Sequence, residues 1–169
     1  MIRPITKLGN PVLEMPAEPV TAFDSDLAEL VEDLFESMYA SHGAGLAAPQ
    51  VGISKRIAVI DVSVDEAPRA TIALVNPEII HTEGRETLKE GCLSIPGFYE
   101  SVTRPSTVAV RAQDAHGSWF ECTGDGLLAR ALLHETDHLD GRLFLSHISA
   151  LKRGLVKRRV KKLIEAGRW

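Results

Sequence analysis

Cysteine is scarce: the 169-residue chain holds two, Cys92 and Cys122. They stand in unlike surroundings, so no disulfide framework is expected, and a reducing compartment is the simpler inference. No apolar run approaches the roughly 18 residues that a membrane-spanning helix needs. The opening MIRPITKLGNP lacks the apolar core of a secretory signal, which points to the cytoplasm. No repeat, low-complexity tract or linker divides the chain, and its length suits one buried core, so a single domain over residues 1–169 is expected. The glycine-rich stretch GAGLAAPQVG (43–52) lacks both the G-x-G-x-x-G spacing and a Gly-Lys-Ser/Thr ending, which excludes a nucleotide phosphate loop. The composition, 44% hydrophobic and 25% charged with a net charge of −4, is that of an ordinary globular protein, and neither membrane nor DNA is expected as a partner.

What is present is concentrated in LLHETDHLDG (132–141). On a helix, His134 and His138 stack on one face and can offer two nitrogens to one ion. Glu135 follows about 100° round the helix, within reach of a water on that ion and able to serve as its general base. Asp125-Gly126 supplies a helix start, Gly141 an end, and Leu127, Leu128, Ala131 and Leu132 an apolar stripe. Leu127, Ala131, His134 and His138 fall on one line, expected to face inward. A catalytic metal site needs a third ligand and an open position. The remaining histidines (His42, His81, His116, His147) lie in polar stretches, which leaves Cys92, in KEGCLSIPG (89–97), as the best candidate. Gly91 and the turn Ser94–Gly97 allow close backbone approach there. Cys122, in the strand-like SWFECTG, reads as a small packing residue.

Together GAGLAAPQVG, EGCLSIPG (90–97) and HETDH (134–138) resemble, in order and approximate spacing, the three motifs of the peptide deformylases. The resemblance runs from the N-terminal RPITKLGNPVLEMPAEPV through ALVNPE (73–78) to the basic final helix. It implies that Cys92, His134 and His138 hold one divalent metal ion. Glu135 would act as general acid and base, while Gln50 and the Leu93 backbone N–H hold the formyl oxygen. It implies removal of the formyl group from the N-terminal methionine of newly made proteins. Nitrogen and sulfur ligands accept zinc, iron, cobalt or nickel, and the resemblance implies Fe2+ in the cell. Gly45 would let a substrate chain run alongside, paired as an added strand. The methionine pocket would involve Ala44, Gly91, Leu127, Arg130 and Ala131. Three positions depart from the family pattern: Leu133 where glutamine is common, Ala44 where a larger aliphatic is, and Arg130 where an apolar residue is. The Arg130 stem is expected to line the pocket and its head to reach solvent.

Elsewhere, Leu27, Leu30, Val31, Leu34, Phe35 and Met38 follow helical spacing behind an Asp24 or Ser25 cap. β-branched runs at 56–62, 71–80, 107–117 and 119–124 predict strands, with a hairpin turn at 115–118. Strands grouped between helices argue for an α+β fold, with antiparallel sheets around a central metal-binding helix. Residues 151–169 carry eight Lys or Arg and one acidic residue, against eleven basic and 22 acidic in the remainder. As an amphipathic helix they would bury Leu151, Leu155, Val156, Val160 and Leu163. Their charge would also suit docking on ribosomal RNA through phosphate contacts. Two other classes compete: a metalloprotease, disfavoured by Cys92 with Gln50, and a structural metal protein, for which no fourth ligand is evident.

Overall fold

The structure, a computed structural model, describes residues 1–63 and 68–169. Helix α1 (Ser25–Ala40) begins where the Asp24 side chain accepts the Leu27 N–H at 3.1 Å, and it buries Leu27, Leu30, Val31, Leu34 and Met38. Among the described residues seven strands follow: β1 (Gly45–Ala47), β2 (Ile57–Asp61), β3 (Thr71–Glu83), β4 (Glu86–Gly91), β5 (Tyr99–Arg104), β6 (Thr107–Gln113) and β7 (Trp119–Asp125). Then come helices α2 (Gly126–Leu139) and α3 (Ala150–Glu165). One antiparallel sheet has the order β1-β2-β3-β6-β7, and β4 and β5 form a separate two-stranded sheet. This is the α+β architecture expected from the grouping of the elements.

β2 explains how the layers meet. All five of its residues are buried, because Ile57 and Val59 face α1 while Ala58 and Ile60 face α2. A strand covered on both faces reads as a continuous apolar run. β3 extends past the predicted 71–80 and contains Pro77, which the ladder tolerates because its pairing with β6 is irregular there. At that irregularity Asn76 has φ 50°, and its side chain exchanges hydrogen bonds with both backbone groups of Val20, at 2.8 and 2.9 Å. The predicted turn between β6 and β7 is present, closed by Asp114, whose carboxylate accepts the N–H groups of His116 and Ser118.

Three expectations need correction. α2 buries Ala129, Leu132, Thr136 and Leu139 against the sheet, so the line through Leu127 and Ala131 is not its core face; Leu127 is 63% exposed. Asp125 stands at the start of α2, but its side chain makes no capping bond. In α3, only Val156 and Val160 are fully buried, against Leu13, Ile95, Val102 and Phe144. Leu151 and Leu155 point outward at 71% and 48% exposure, because the helix meets the body along one narrow line. Among the described residues, no helix is long and apolar enough to cross a membrane.

Candidate metal centre

Three separate elements deliver the site. α2 contributes His134, Glu135 and His138, one helical turn spanning the two imidazoles. Cys92 follows the last residue of β4 and opens a turn closed by the Ile95 N–H on the Cys92 carbonyl at 3.0 Å. Gln50 sits in a short 3-10 turn (Ala48–Val51) behind β1. The sulfur and one nitrogen of each histidine lie within 4.8 Å of one another. His138 Nε2 is 3.3 Å from Cys92 Sγ and 3.1 Å from His134 Nε2.

The donor set tests whether a metal fits. The carboxylate of Glu90 lies 2.7 Å from His134 Nδ1. A proton on Nδ1 satisfies that contact and leaves the Nε2 lone pair turned toward His138 and the sulfur. Two imidazole nitrogens and a thiol sulfur thus converge on one point, the donors that borderline-soft divalent ions accept. Burial opposes a charge on Cys92, but the neighbouring His138 and His134 outweigh it and draw its thiol down to about 5. Glu135 is not part of this cluster; its Oε2 is buried without a hydrogen-bond partner among the described residues, as is His138 Nδ1. Burial pushes the Glu135 carboxyl up, against the pull of His134 and His138. The residues present fit a three-ligand metal site with an unengaged carboxylate beside it.

Around this centre lies a charge network that sequence reasoning missed. Arg104 holds Glu90 with two bonds, 2.9 Å to Oε1 and 2.8 Å to Oε2, and reaches Asp137 at 2.8 Å. His147 lies 2.7 Å from Asp137, so it is not the idle surface histidine its polar context suggested. Burial works against the charge of Glu90, yet Arg104 and His134 hold it well below the usual carboxylate range. Burial likewise opposes the charge of Asp137, and His147 with Arg104 outweighs it. The available signal was position: Glu90 stands two residues before Cys92, and Asp137 directly before His138.

A cavity of about 450 Å3 opens onto the cluster. Gln50, Leu93, Gly45, Ala44, Gly91, Leu127, Arg130, Ala131 and Glu135 all line it, with Cys92 and His134. Of the site residues expected from sequence, His138 alone is not among its walls; it is buried behind them. Val62, Lys89 and Tyr99 are further walls that the motifs did not indicate. Gln50 is held by the Ala47 N–H on its Oε1 at 3.0 Å, which turns its Nε2 toward Ser94 Oγ at 3.2 Å and Cys92 Sγ at 3.6 Å. The Arg130 head does not reach solvent: it is buried, donating to Glu90 and to the Val102 carbonyl at 3.0 Å each and to the Glu86 carbonyl at 2.9 Å. The acceptors on the β4–β5 hairpin capture it before it can extend outward.

The polypeptide deformylase family model matches residues 2–154. A peptide deformylase of Acidobacterium capsulatum is 59% identical over 169 residues, covering 100% of this chain and 99% of that protein. One from Alkalilimnicola ehrlichii is 45% identical over 159 residues, covering 94% and 89%. Among solved structures, a peptide deformylase from Legionella pneumophila superposes with a TM-score of 0.91 at 44% identity, covering 99% of this chain and 98% of that one. A peptide deformylase from Ehrlichia chaffeensis, in complex with actinonin, gives a TM-score of 0.88 at 37% identity, covering 95% and 96%.

Proposed function

Because the chain belongs to the peptide deformylase family, we propose that it hydrolyses the formyl group from the N-terminal methionine of nascent proteins through the residues around Cys92, His134 and His138. The observation that carries this reading is the convergence of one sulfur and two imidazole nitrogens beside a cavity that also presents Gln50 and Glu135. When bound, a divalent ion supplies Lewis acidity and makes water nucleophilic near neutral pH. Glu135, with its carboxyl raised by burial, takes the proton from the attacking water and returns it to the departing amine. The Gln50 amide and the Leu93 backbone N–H donate to the carbonyl oxygen as its charge grows. Ferrous iron is the ion we assign in the cell, with zinc, nickel or cobalt acceptable to the same donors. An iron ion held beside the Cys92 thiolate would make the activity oxygen-sensitive.

The substrate chain lies in the gap between β1 and β4, where Gly45 and Gly91 line the cavity. β1 is the edge of its sheet, and β4 pairs within the described residues only with β5, so both backbones can pair with an extended peptide. The methionine side chain enters between Ala44, Leu127, Ala131 and the Arg130 stem. Its substrate is made in the cytoplasm, where the reading puts the chain. The basic α3 docks on ribosomal RNA and holds the site near emerging chains.

The test is formate release from formyl-Met-Ala-Ser by protein loaded with Fe(II) without oxygen, with the acetylated peptide and Glu135→Ala as controls. Formate from the wild type alone, the acetyl peptide remaining intact, is the expected result. The absence of formate from folded, iron-loaded wild type overturns the reading.

A further inference from the structure

Among the described residues, the β4–β5 hairpin that brings Cys92 to the site has no strand ladder to the five-stranded sheet. Both histidines ride instead on α2, which packs on that sheet. The distance from Cys92 to the imidazoles therefore depends on side chains that set the hairpin against the helix. Two arginines do this in opposite senses. Arg104, on β5, reaches across to Asp137 of α2 at 2.8 Å. Arg130, on α2, reaches back to the hairpin: Nη1 donates to Glu90 and to the Val102 carbonyl, and Nη2 to the Glu86 carbonyl. Glu86 belongs to β4 and Val102 to β5, so one guanidinium straddles both strands. Its carboxylate partner, Glu90, is also the group on His134 Nδ1.

We propose that Arg130 is a positioning residue for the metal centre, its forked contacts registering the Cys92 hairpin against the helix that carries His134 and His138. This rests on the metal-dependent reading above and adds to it a role for a position where an apolar residue would fill the same wall. A buried guanidinium is a weak source of stability compared with a well-packed apolar side chain. What it adds is direction: five donors in a rigid plane fix three acceptors at once, which the single ammonium of lysine does not reproduce. Arg130 and the Arg104–Asp137 pair flank His134 along α2, one turn before it and three residues after, so the hairpin is pinned on both sides of the ligand.

The experiment compares wild type, Arg130→Met and Arg130→Lys by titration of the metal-free proteins with Co(II) against a chromophoric chelator. The thiolate-to-cobalt absorption band and the melting temperature with and without cobalt are recorded alongside. The expected result is a Co(II) Kd raised ~10–100-fold in Arg130→Met, with a weakened or shifted thiolate band. The cobalt-induced rise in melting temperature shrinks accordingly. Arg130→Lys falls between the two, and it carries the test by itself if the methionine variant does not fold. A merely structural role lowers melting with and without cobalt equally and leaves Kd and band at wild-type values in both variants, which overturns the proposal. A wild type that binds no cobalt overturns the metal reading itself, a result distinct from variants that match the wild type.

Discussion

Glu135 is positioned by an absence. β1 crosses so close to it that a Cβ built on Gly45 would stand 2.5 Å from Glu135 Oε1 and 3.0 Å from its Cδ. The sequence pattern assigned Gly45 to close approach by a substrate chain; the structure adds that the backbone here roofs the Glu135 carboxylate. Gly45→Ala forces that carboxylate aside, and because the clash falls on side-chain atoms of Glu135, Oε1, Cδ and Cγ, rather than on backbone, the fold can absorb it. A displacement near 1 Å is enough to cost ~10²-fold in rate. The expected outcome is a fall in kcat of that order, with cobalt binding intact and unfolding by urea shifted by about 1 kcal/mol or less. An unchanged kcat would mean that Glu135 has room to relax without leaving its working position. Of the individual side chains, those with a chemical signature in their motif were legible: Cys92, His134, His138, Glu135 and Gln50. Arg104 and His147 were not, since each gains its role only from partners that the fold brings to it, Glu90 and Asp137 for Arg104 and Asp137 for His147.

Between elements, α1 is latched to the end of β2 by the Tyr39 hydroxyl on Asp61 Oδ2 at 2.6 Å, with Arg69 stacked 3.9 Å from the Tyr39 ring centroid. The same Asp61 donates its backbone N–H to Ala44 at 2.9 Å and so holds the strand that leads to Gly45. Burial opposes the Asp61 charge, but bonds from Ser63 and Tyr39 outweigh it and hold its carboxyl below the ordinary 3.8. A carboxyl lowered by folding contributes stability above its unfolded value, and that stability is lost as pH falls through the folded value. Tyr39→Phe should therefore cost about 1–2 kcal/mol at pH 7, and the cost should shrink below about pH 4 toward that of a neutral hydrogen bond once both proteins are protonated there. Urea unfolding of both proteins between pH 7 and pH 2.5 measures it; a cost independent of pH would show that the loss is packing rather than the charged hydrogen bond. α1, β2 and the β6–β7 hairpin were readable because one pattern dominates each, a helical repeat in α1, a continuous apolar run in β2 and β-branched runs around a turn in the hairpin. β4 and β5 were not: ETLKEG and YESVTR bury few side chains, and two of those are the charged Glu90 and Arg104, so their pattern resembles a loop. α2 was recognised but rotated, since its cavity line carries leucine and alanine as its core line does.

Over the whole molecule, charge is divided, with +7 on residues 151–169 and −11 on the rest. Some of that basic charge is already engaged: Lys152 and Lys157 pair with Glu100 and Glu14, and Arg159 lies 5.6 Å from the Phe98 ring. Arg158, Lys161 and Lys162 are exposed beside Leu155 and gather around a shallow groove on the outer side of α3. Deleting residues 151–169 would not isolate their effect. Val156 and Val160 close the core under the Cys92 hairpin, and Trp169 donates its indole N–H to the Leu8 carbonyl at 2.8 Å while meeting Phe98 edge-on. Replacing the three exposed cations by glutamine keeps helix formers and leaves those contacts in place. If they meet three phosphates, log K for ribosomes falls with log salt at a slope of about −0.9 per contact. Wild type then loses roughly 40-fold between 50 and 200 mM salt. Co-sedimentation with ribosomes across that range should show the triple variant binding weakly with a slope flatter by about 3, while formate release from a free tripeptide stays at the wild-type rate. Equal slopes would exclude this face of α3 from ribosome binding, and a loss of tripeptide activity would mean that the substitutions reached the Cys92 hairpin through the shared core.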